Sequence, residues 1–192
     1  MRELTGGGVA PEPVFLEADV LVIGGGTAGC MAAVEAKERA PGLRVLVMEK
    51  GHVDRSGCLA AGMNAINLYL HPGETPESLV RYVRQDAMGL LREDLVLTLA
   101  AEVYRCVHRS ESWGLPVRKD EAGRYERRGR WNVKVNGESL KPIIAGAARR
   151  AGAQVLNRVA ATGLLVDRDR VVGATGLGVR DGAMYVVAAR AT

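Results

Sequence analysis

The 192-residue sequence has few aromatic residues and few cysteines. Aromatic side chains make up 4% of the chain, so its hydrophobic residues, 47% of the total, must build an aliphatic core. The three cysteines, Cys30, Cys58 and Cys106, lie far apart and form no C-x-x-C pair. Their spacing predicts neither a zinc nor an iron–sulfur site, and their odd number argues against a disulfide framework. We interpret them as reduced thiols of a cytoplasmic protein.

Long apolar runs and a signal segment are also missing. No stretch approaches the length of a membrane span, and residues 1–13 contain glycine and proline but no apolar signal core. We therefore expect no direct membrane span, and any membrane association would come through a partner. The three histidines have no metal-ligand spacing, so no metal site is predicted.

Positive charge is only slightly in excess, with 26 Lys and Arg against 22 Asp and Glu. The chain has neither zinc-finger spacing nor an aromatic ribonucleoprotein motif, so a nucleic-acid partner is not predicted. A solvated basic surface explains the excess more simply, and such a surface would also suit a small anionic substrate.

A glycine-rich turn follows the first apolar segment, residues 19–23. Its glycines, Gly24, Gly26 and Gly29, have the G-x-G-x-x-G spacing of dinucleotide-binding turns. Gly24 permits the tight turn, Gly26 lets the backbone approach a diphosphate, and Gly29 lets the helix pack closely against the strand. Because the chain contains 24 glycines, the same spacing could also occur in a βαβ unit that binds no nucleotide.

The elements around this turn favour nucleotide binding. A helix is predicted to begin near Thr27, and a second apolar strand, residues 45–49, ends on the acid Glu49. The N–H groups of Thr27 and Ala28 at the start of the helix would face the diphosphate. The Glu49 carboxylate would accept hydrogen bonds from an adenosine ribose. The sequence therefore predicts an α/β dinucleotide-binding fold.

The rest of the chain divides into a helical part and a strand-rich part. Residues 1–17 are interpreted as a loosely held lead-in, and residues 18–192 as one cofactor-binding domain. Helices are predicted at residues 76–89, 92–113 and 139–151, and a hairpin turn at residues 120–123. A small antiparallel meander, appended to the parallel sheet, is predicted to contain strands 154–156, 159–166, 171–179 and 184–189.

Several further motifs occur in the order found in one protein family. They lie at residues 55–57, 62–67, 86–94, 113–116, 129–131 and 136–142. Through them the chain resembles the flavoprotein subunits of the fumarate reductase and succinate dehydrogenase superfamily, most of all the adenylylsulfate reductase type. The resemblance extends over residues 19–192. It implies a Rossmann-like FAD-binding domain of the GR2 type with an appended antiparallel β-meander, incomplete at its C-terminal end.

The resemblance implies that FAD is bound noncovalently. Members that attach FAD covalently use a histidine at or next to the position of Gly57, where this sequence has none. The diphosphate would lie at Gly24–Gly29, and the adenosine ribose at Glu49 beside Lys50. Further cofactor-binding residues implied by the resemblance are Ser56 and Gly57 on the diphosphate–ribityl side, Ala60, Ala61 and Gly62 beneath the isoalloxazine, and Val159 and Ala160 at the adenine.

Asn67 is the catalytic candidate, because it matches a family asparagine near the flavin. A turn-capping role explains an asparagine there equally well. By resemblance the chain is the N-terminal part of a longer flavoprotein that transfers two electrons and works with an iron–sulfur subunit. We expect weak FAD affinity and little turnover from these residues alone. An NAD(P)-binding Rossmann enzyme and a non-catalytic fragment remain as alternatives.

Overall fold

The computed structural model describes residues 12–61, 65–67, 73–128, 132–134 and 137–192. The chain forms two compact units. The first joins the N-terminal part, through Ser56, to Ala148–Thr192, and the second is Gly57–Ala147.

The strands and helices alternate at first and then separate into blocks. The strands are β1 (Val14–Ile23), β2 (Val45–Glu49), β3 (Ala65–Asn67), β4 (Arg127–Arg128), β5 (Asn132–Lys134), β6 (Gln154–Asn157), β7 (Val159–Asp167), β8 (Arg170–Gly178) and β9 (Met184–Ala191). The α-helices are α1 (Thr27–Arg39), α2 (Pro76–Asp86), α3 (Glu93–Ser112) and α4 (Gly137–Arg150). Short 3-10 turns occur at Val53–Arg55 and Cys58–Ala61.

The first unit is built on a six-stranded sheet of order β6-β2-β1-β9-β8-β7. Strands β6, β2, β1 and β9 pair in parallel, and β9, β8 and β7 pair antiparallel. The predicted parallel sheet with an antiparallel meander is therefore confirmed. The assignment of β6 to the meander is wrong, because β6 pairs in parallel with β2, from Leu46 opposite Gln154 to Glu49 opposite Asn157. Arg158, with φ of 62°, redirects the chain between β6 and β7.

The first strand begins earlier than predicted. β1 starts at Val14, so the last four residues of the predicted lead-in belong to the sheet. It pairs with β9 from Val14 opposite Tyr185 to Val20 opposite Ala191, and with β2 on its other edge from Val20 to Ile23. Since β9 lies at the other end of the chain, no local pattern marks this start.

The core of this sheet is aliphatic, as the scarcity of aromatic residues predicts. All five residues of β2 are buried, and helix α1 contributes Cys30, Ala33 and Val34 as buried residues. One cluster of buried core residues in this sheet consists of Ala18, Leu21, Leu46, Met48, Val159, Ala174, Val187 and Ala189.

The second unit contains helices and a small antiparallel sheet of order β3-β5-β4. Helix α2 begins at Pro76 after Thr75, whose backbone N–H donates to Ser78 Oγ at 3.0 Å, so the predicted start of this helix is confirmed. It ends at Asp86, three residues earlier than predicted, because the chain turns at Met88 and Gly89, where φ is 50° and 82°. The predicted turn at residues 120–123 is closed by the Gly123 N–H, which donates to the Asp120 carbonyl at 2.9 Å. Among the helices described, none has the length and apolar character to cross a membrane.

Candidate cofactor site

The turn between β1 and α1 requires glycine at both of its ends. Gly24 has φ of 97°, a conformation that favours glycine, and its N–H donates to the Met48 carbonyl at 2.8 Å. A Cβ on Gly29 would lie 1.9 Å from the Gly24 carbonyl oxygen, so helix α1 meets the turn at a distance that only glycine permits. These contacts give the first and third glycines of the motif their physical reasons.

Gly25 is a third constrained position, which the sequence reasoning missed. A Cβ there would lie 2.9 Å from Val53 Cγ2 and 3.1 Å from Glu49 Oε2. By contrast, a Cβ on Gly26 would have no atom within 4 Å. The Gly26 position therefore faces open space, where a ligand can approach the backbone.

Helix α1 presents its first amides to that space. Gly26 is the N-cap, no side chain caps the helix, and the first turn contains no acidic residue. The Cys30 N–H, which donates to the Gly26 carbonyl at 2.9 Å, begins the helical bonding. Within the part of the chain that the structure describes, the N–H groups of Gly26, Thr27 and Ala28 have no acceptor. Such a helix end attracts anions through its amides and its dipole.

Glu49 lies buried beside the turn, with only 4% of its surface exposed. One carboxylate oxygen accepts the Gly25 N–H at 2.6 Å, and the other accepts the Gly51 N–H at 2.7 Å. The side chain therefore ties the glycine turn to the segment that follows β2. Each oxygen keeps a further lone pair, so the carboxylate can still accept a ribose hydroxyl. The neighbouring Lys50 is exposed.

The segment after β2 is held by backbone and side-chain bonds of the first unit. The Gly51 carbonyl accepts the Arg158 N–H at 2.8 Å, and Asn157 Oδ1 accepts the N–H of Val53 at 2.8 Å. Arg149 Nη2 donates to Asp54 Oδ1 at 2.7 Å. Sequence reasoning missed Asn157, although its register opposite Glu49 places it at the same end of the parallel sheet.

The start of β7 lies beside this segment. Val159 is buried in the core, with its Cα opposite Gly178, and Ala160 is half-buried opposite Leu177. Because the Arg158 N–H bonds to Gly51, the backbone of these two residues begins close to the segment that follows Glu49. The structure thus brings together, within one unit, the glycine turn, Glu49, Ser56 and the residues assigned to the adenine.

Gly57, assigned to the diphosphate–ribityl side, and the residues assigned to the flavin ring belong to the second unit. Gly57 is exposed with φ of 80°, Ala60 is half-buried and Ala61 is exposed. The Ala60 N–H donates to the Gly57 carbonyl at 3.2 Å, which closes the short 3-10 turn around buried Leu59. Gly62 lies outside the described residues. Asn67 ends β3 opposite Asn132, and its side chain also lies outside them.

A polar cluster on α3 was not anticipated from the sequence. The Tyr125 hydroxyl donates to Glu111 and contacts His108 Nδ1 at 2.9 Å, and Lys119 Nζ pairs with Glu111 at 2.9 Å. Burial, together with the Glu111 carboxylate, raises the pKa of Tyr125 above its usual value. Burial opposes ionisation of Glu111, but hydrogen bonds from Tyr125 and Lys119 outweigh it and lower the pKa of that carboxyl.

No group of three or more potential metal ligands is found among the described residues. The side chains and amides of the first unit suit a nucleotide: unpartnered amides for a diphosphate, a buried carboxylate for a ribose, and open space at the Gly26 Cβ position.

Comparison with known proteins decides which nucleotide this is. The family described as FAD binding domain matches residues 19–192. The chain belongs to this family. The predictions of FAD as the cofactor and of a flavoprotein fold are therefore confirmed.

The most informative relatives of this FAD-binding domain are reductase subunits. The alpha subunit of adenylylsulfate reductase from Megalodesulfovibrio gigas is 37% identical over 99% of this chain and 33% of its own length. The structure of adenylylsulfate reductase from Archaeoglobus fulgidus superposes with a TM-score of 0.83 at 44% identity, over 93% of this chain and 30% of that one. The predicted resemblance is confirmed.

A more distant structure supports the fold alone. The quinol fumarate reductase of E. coli superposes with a TM-score of 0.82 at 19% identity, over 92% of this chain. The FAD-binding domain described here spans about a third of the length of two of its curated relatives, the adenylylsulfate reductase subunit and a fumarate reductase subunit.

Proposed function

We propose that this chain is the FAD-binding part of a flavoprotein subunit in a two-electron oxidoreductase. The observation that carries the proposal is the set of unpartnered amides of Gly26, Thr27 and Ala28 beside the buried carboxylate of Glu49. The relatives named adenylylsulfate reductase and fumarate reductase support reductase chemistry. Because the chain spans a third of those relatives, turnover is proposed for the whole protein and little is expected from these residues alone.

In this proposal the first unit binds the adenosine diphosphate half of FAD. The amides and the dipole of α1 bind the diphosphate, Glu49 accepts a ribose hydroxyl with Lys50 beside it, and the backbone of Val159 and Ala160 meets the adenine. Ser56 lies toward the ribityl side. FAD, when bound, supplies the two-electron chemistry of its ring.

Residues of the second unit are proposed for the other half of the cofactor. Gly57 is proposed for the diphosphate–ribityl side. Ala60, Ala61 and Gly62 are small residues that leave room for a flat ring, and Asn67 is the catalytic candidate near the flavin. Gly57 offers no imidazole for a covalent link, so FAD is proposed to be held noncovalently. Acid precipitation should then release all of the flavin into solution.

The partner and the location are also proposed. An iron–sulfur protein subunit would exchange electrons with the flavin, in line with the relatives being named as subunits. The substrate would be a small anion. Three cysteines present as thiols support a cytoplasmic protein, with membrane association only through partners.

A negative charge introduced at position 26 provides a direct test of diphosphate binding. Gly26 has φ of −65°, and a Cβ there meets no atom, so Gly26→Asp and Gly26→Asn can both fold. Asp also caps the helix and complements its dipole, so the thermal midpoint should hold or rise. The same carboxylate repels a diphosphate, and we expect FAD and ADP to bind at least about tenfold more weakly than to the neutral Asn variant.

Flavin fluorescence titration and calorimetry with ADP measure these affinities. Equal affinities of the Asp and Asn variants would contradict diphosphate binding at this turn. An unaltered chain that binds NADH but neither FAD nor ADP would favour a nicotinamide enzyme. Stable folding with no nucleotide bound at millimolar concentration would favour a non-catalytic fragment.

A further inference from the structure

The carbonyl oxygen of Gly25 is approached by two side-chain donors. Cys30 Sγ lies 3.2 Å from it and Ser56 Oγ lies 3.4 Å from it. Cys30 is fully buried, one turn into α1. A thiol is a weak donor, but 3.2 Å is a short distance for sulfur, whereas 3.4 Å is long for a hydroxyl. Relative to the usual distance for each donor type, the thiol is the closer of these two donors.

This contact determines the direction of a neighbouring amide. The peptide between Gly25 and Gly26 is trans, so its carbonyl and its N–H point in opposite directions. A carbonyl held toward Cys30 therefore turns the Gly26 N–H away from Cys30, and no described residue accepts that N–H. The preceding peptide is held as well, because the Gly25 N–H donates to Glu49 at 2.6 Å.

A run of three glycines has many accessible backbone conformations, and ordering it opposes binding. Donors that hold the peptide before the ligand arrives reduce that entropic cost. Glu49 holds one side of Gly25, and Cys30 holds the other.

We propose that Cys30 is a positioning residue for diphosphate recognition: its thiol holds the Gly25 carbonyl so that the Gly26 amide points at the ligand. This inference rests on the proposed function, which it deepens. The thiol takes no part in redox chemistry here, and its role is transmitted through the backbone.

Binding of ADP to the 192-residue chain tests the inference, with adenosine as the probe that lacks phosphates. Cys30→Ala removes the donor, Cys30→Val removes it while filling the space, and Cys30→Ser restores a donor. Val34→Ala is the matched control, because Val34 is buried in the same helix and its apolar side chain has no hydrogen-bond donor to offer the turn. We expect Cys30→Ala and Cys30→Val to weaken ADP binding about three- to tenfold, the size of one lost hydrogen bond.

The other measurements separate positioning from general destabilisation. Cys30→Ser should recover most of the ADP affinity, and adenosine affinity should stay within about twofold in every variant. Val34→Ala should lower the thermal midpoint without changing ADP binding. Unchanged ADP affinity in the Cys30→Ala and Cys30→Val variants would overturn the role of Cys30 but not the proposed function. An equal loss of ADP affinity in Val34→Ala would do the same. An unaltered chain that fails to bind ADP overturns the proposed function itself.

Discussion

The side-chain carbonyl of Asn157 accepts a hydrogen bond from the backbone N–H of Val53 at 2.8 Å. Asn157 ends β6, and Val53 begins the 3-10 turn that follows β2, so this bond joins two parallel strands at their carboxyl ends. Val53 is fully buried, and its side chain lies against the Cβ position of Gly25. Asn157, which is not part of the glycine motif, therefore supports the glycine turn through Val53.

Removing that acceptor should destabilise the first unit. Asn157→Ala leaves the Val53 N–H without its partner, and we expect the free energy of unfolding to fall by about 1–3 kcal/mol. Asn157→Asp keeps an acceptor oxygen and should stay closer to the unaltered chain at neutral pH. Urea unfolding measures both. Equal losses in the two variants would mean that the hydrogen bond is not the cause.

Gly26 and Gly29 should respond differently to the same methyl group. Gly29→Ala places a Cβ 1.9 Å from a backbone oxygen, which can be relieved only by moving α1, so the free energy of unfolding should fall by about 3 kcal/mol or more. Gly26→Ala meets no atom within 4 Å and should cost about 1 kcal/mol or less. Thermal unfolding of the two variants provides the comparison, and similar midpoints would contradict the close packing at Gly29.

Tyr125 should ionise at a higher pH than an ordinary tyrosine. Its pKa is raised by burial and by Glu111, so its contribution to stability is complete below the ordinary tyrosine pKa of about 10 and is lost as pH rises beyond it. An ultraviolet titration of the folded chain should show one of its five tyrosines ionising only at higher pH, together with loss of structure.

Tyr125→Phe provides the control for that titration. It removes the late step and also the bond to Glu111, so stability should decline less steeply with pH above about 10 than in the unaltered chain. If an ionisation step at high pH persists in Tyr125→Phe, that step belongs to another tyrosine.

Local signals in the sequence were reliable where the interacting residues are close along the chain. The start of α2 depends on Thr75, Pro76 and Ser78, which lie within one helical turn. The turn at residues 120–123 is closed by Asp120 and Gly123. The strand, glycine turn and helix of the cofactor motif likewise lie within one short segment.

Pairings between distant segments escaped the sequence reasoning for a common reason. β6 has too few residues to show whether it pairs in parallel or antiparallel. Its partner β2 lies more than a hundred positions earlier, and even Val53, which follows β2, is 104 positions from Asn157. The early start of β1 depends on β9 in the same way. The Glu111 cluster depends on Lys119 and Tyr125 returning to α3 after an intervening turn.

By itself, the sequence determined the dinucleotide-binding turn and the aliphatic core, because these depend on residue type and short spacing. Its resemblance to the flavoprotein family rested on separate motifs that occur in order along the chain. The tertiary structure alone decided that Glu49 and Cys30 hold the two sides of Gly25, and that Asn157 supports the following segment. Such contacts depend on where folding brings backbone N–H and carbonyl groups, and a backbone group has the same chemistry at every position of the chain.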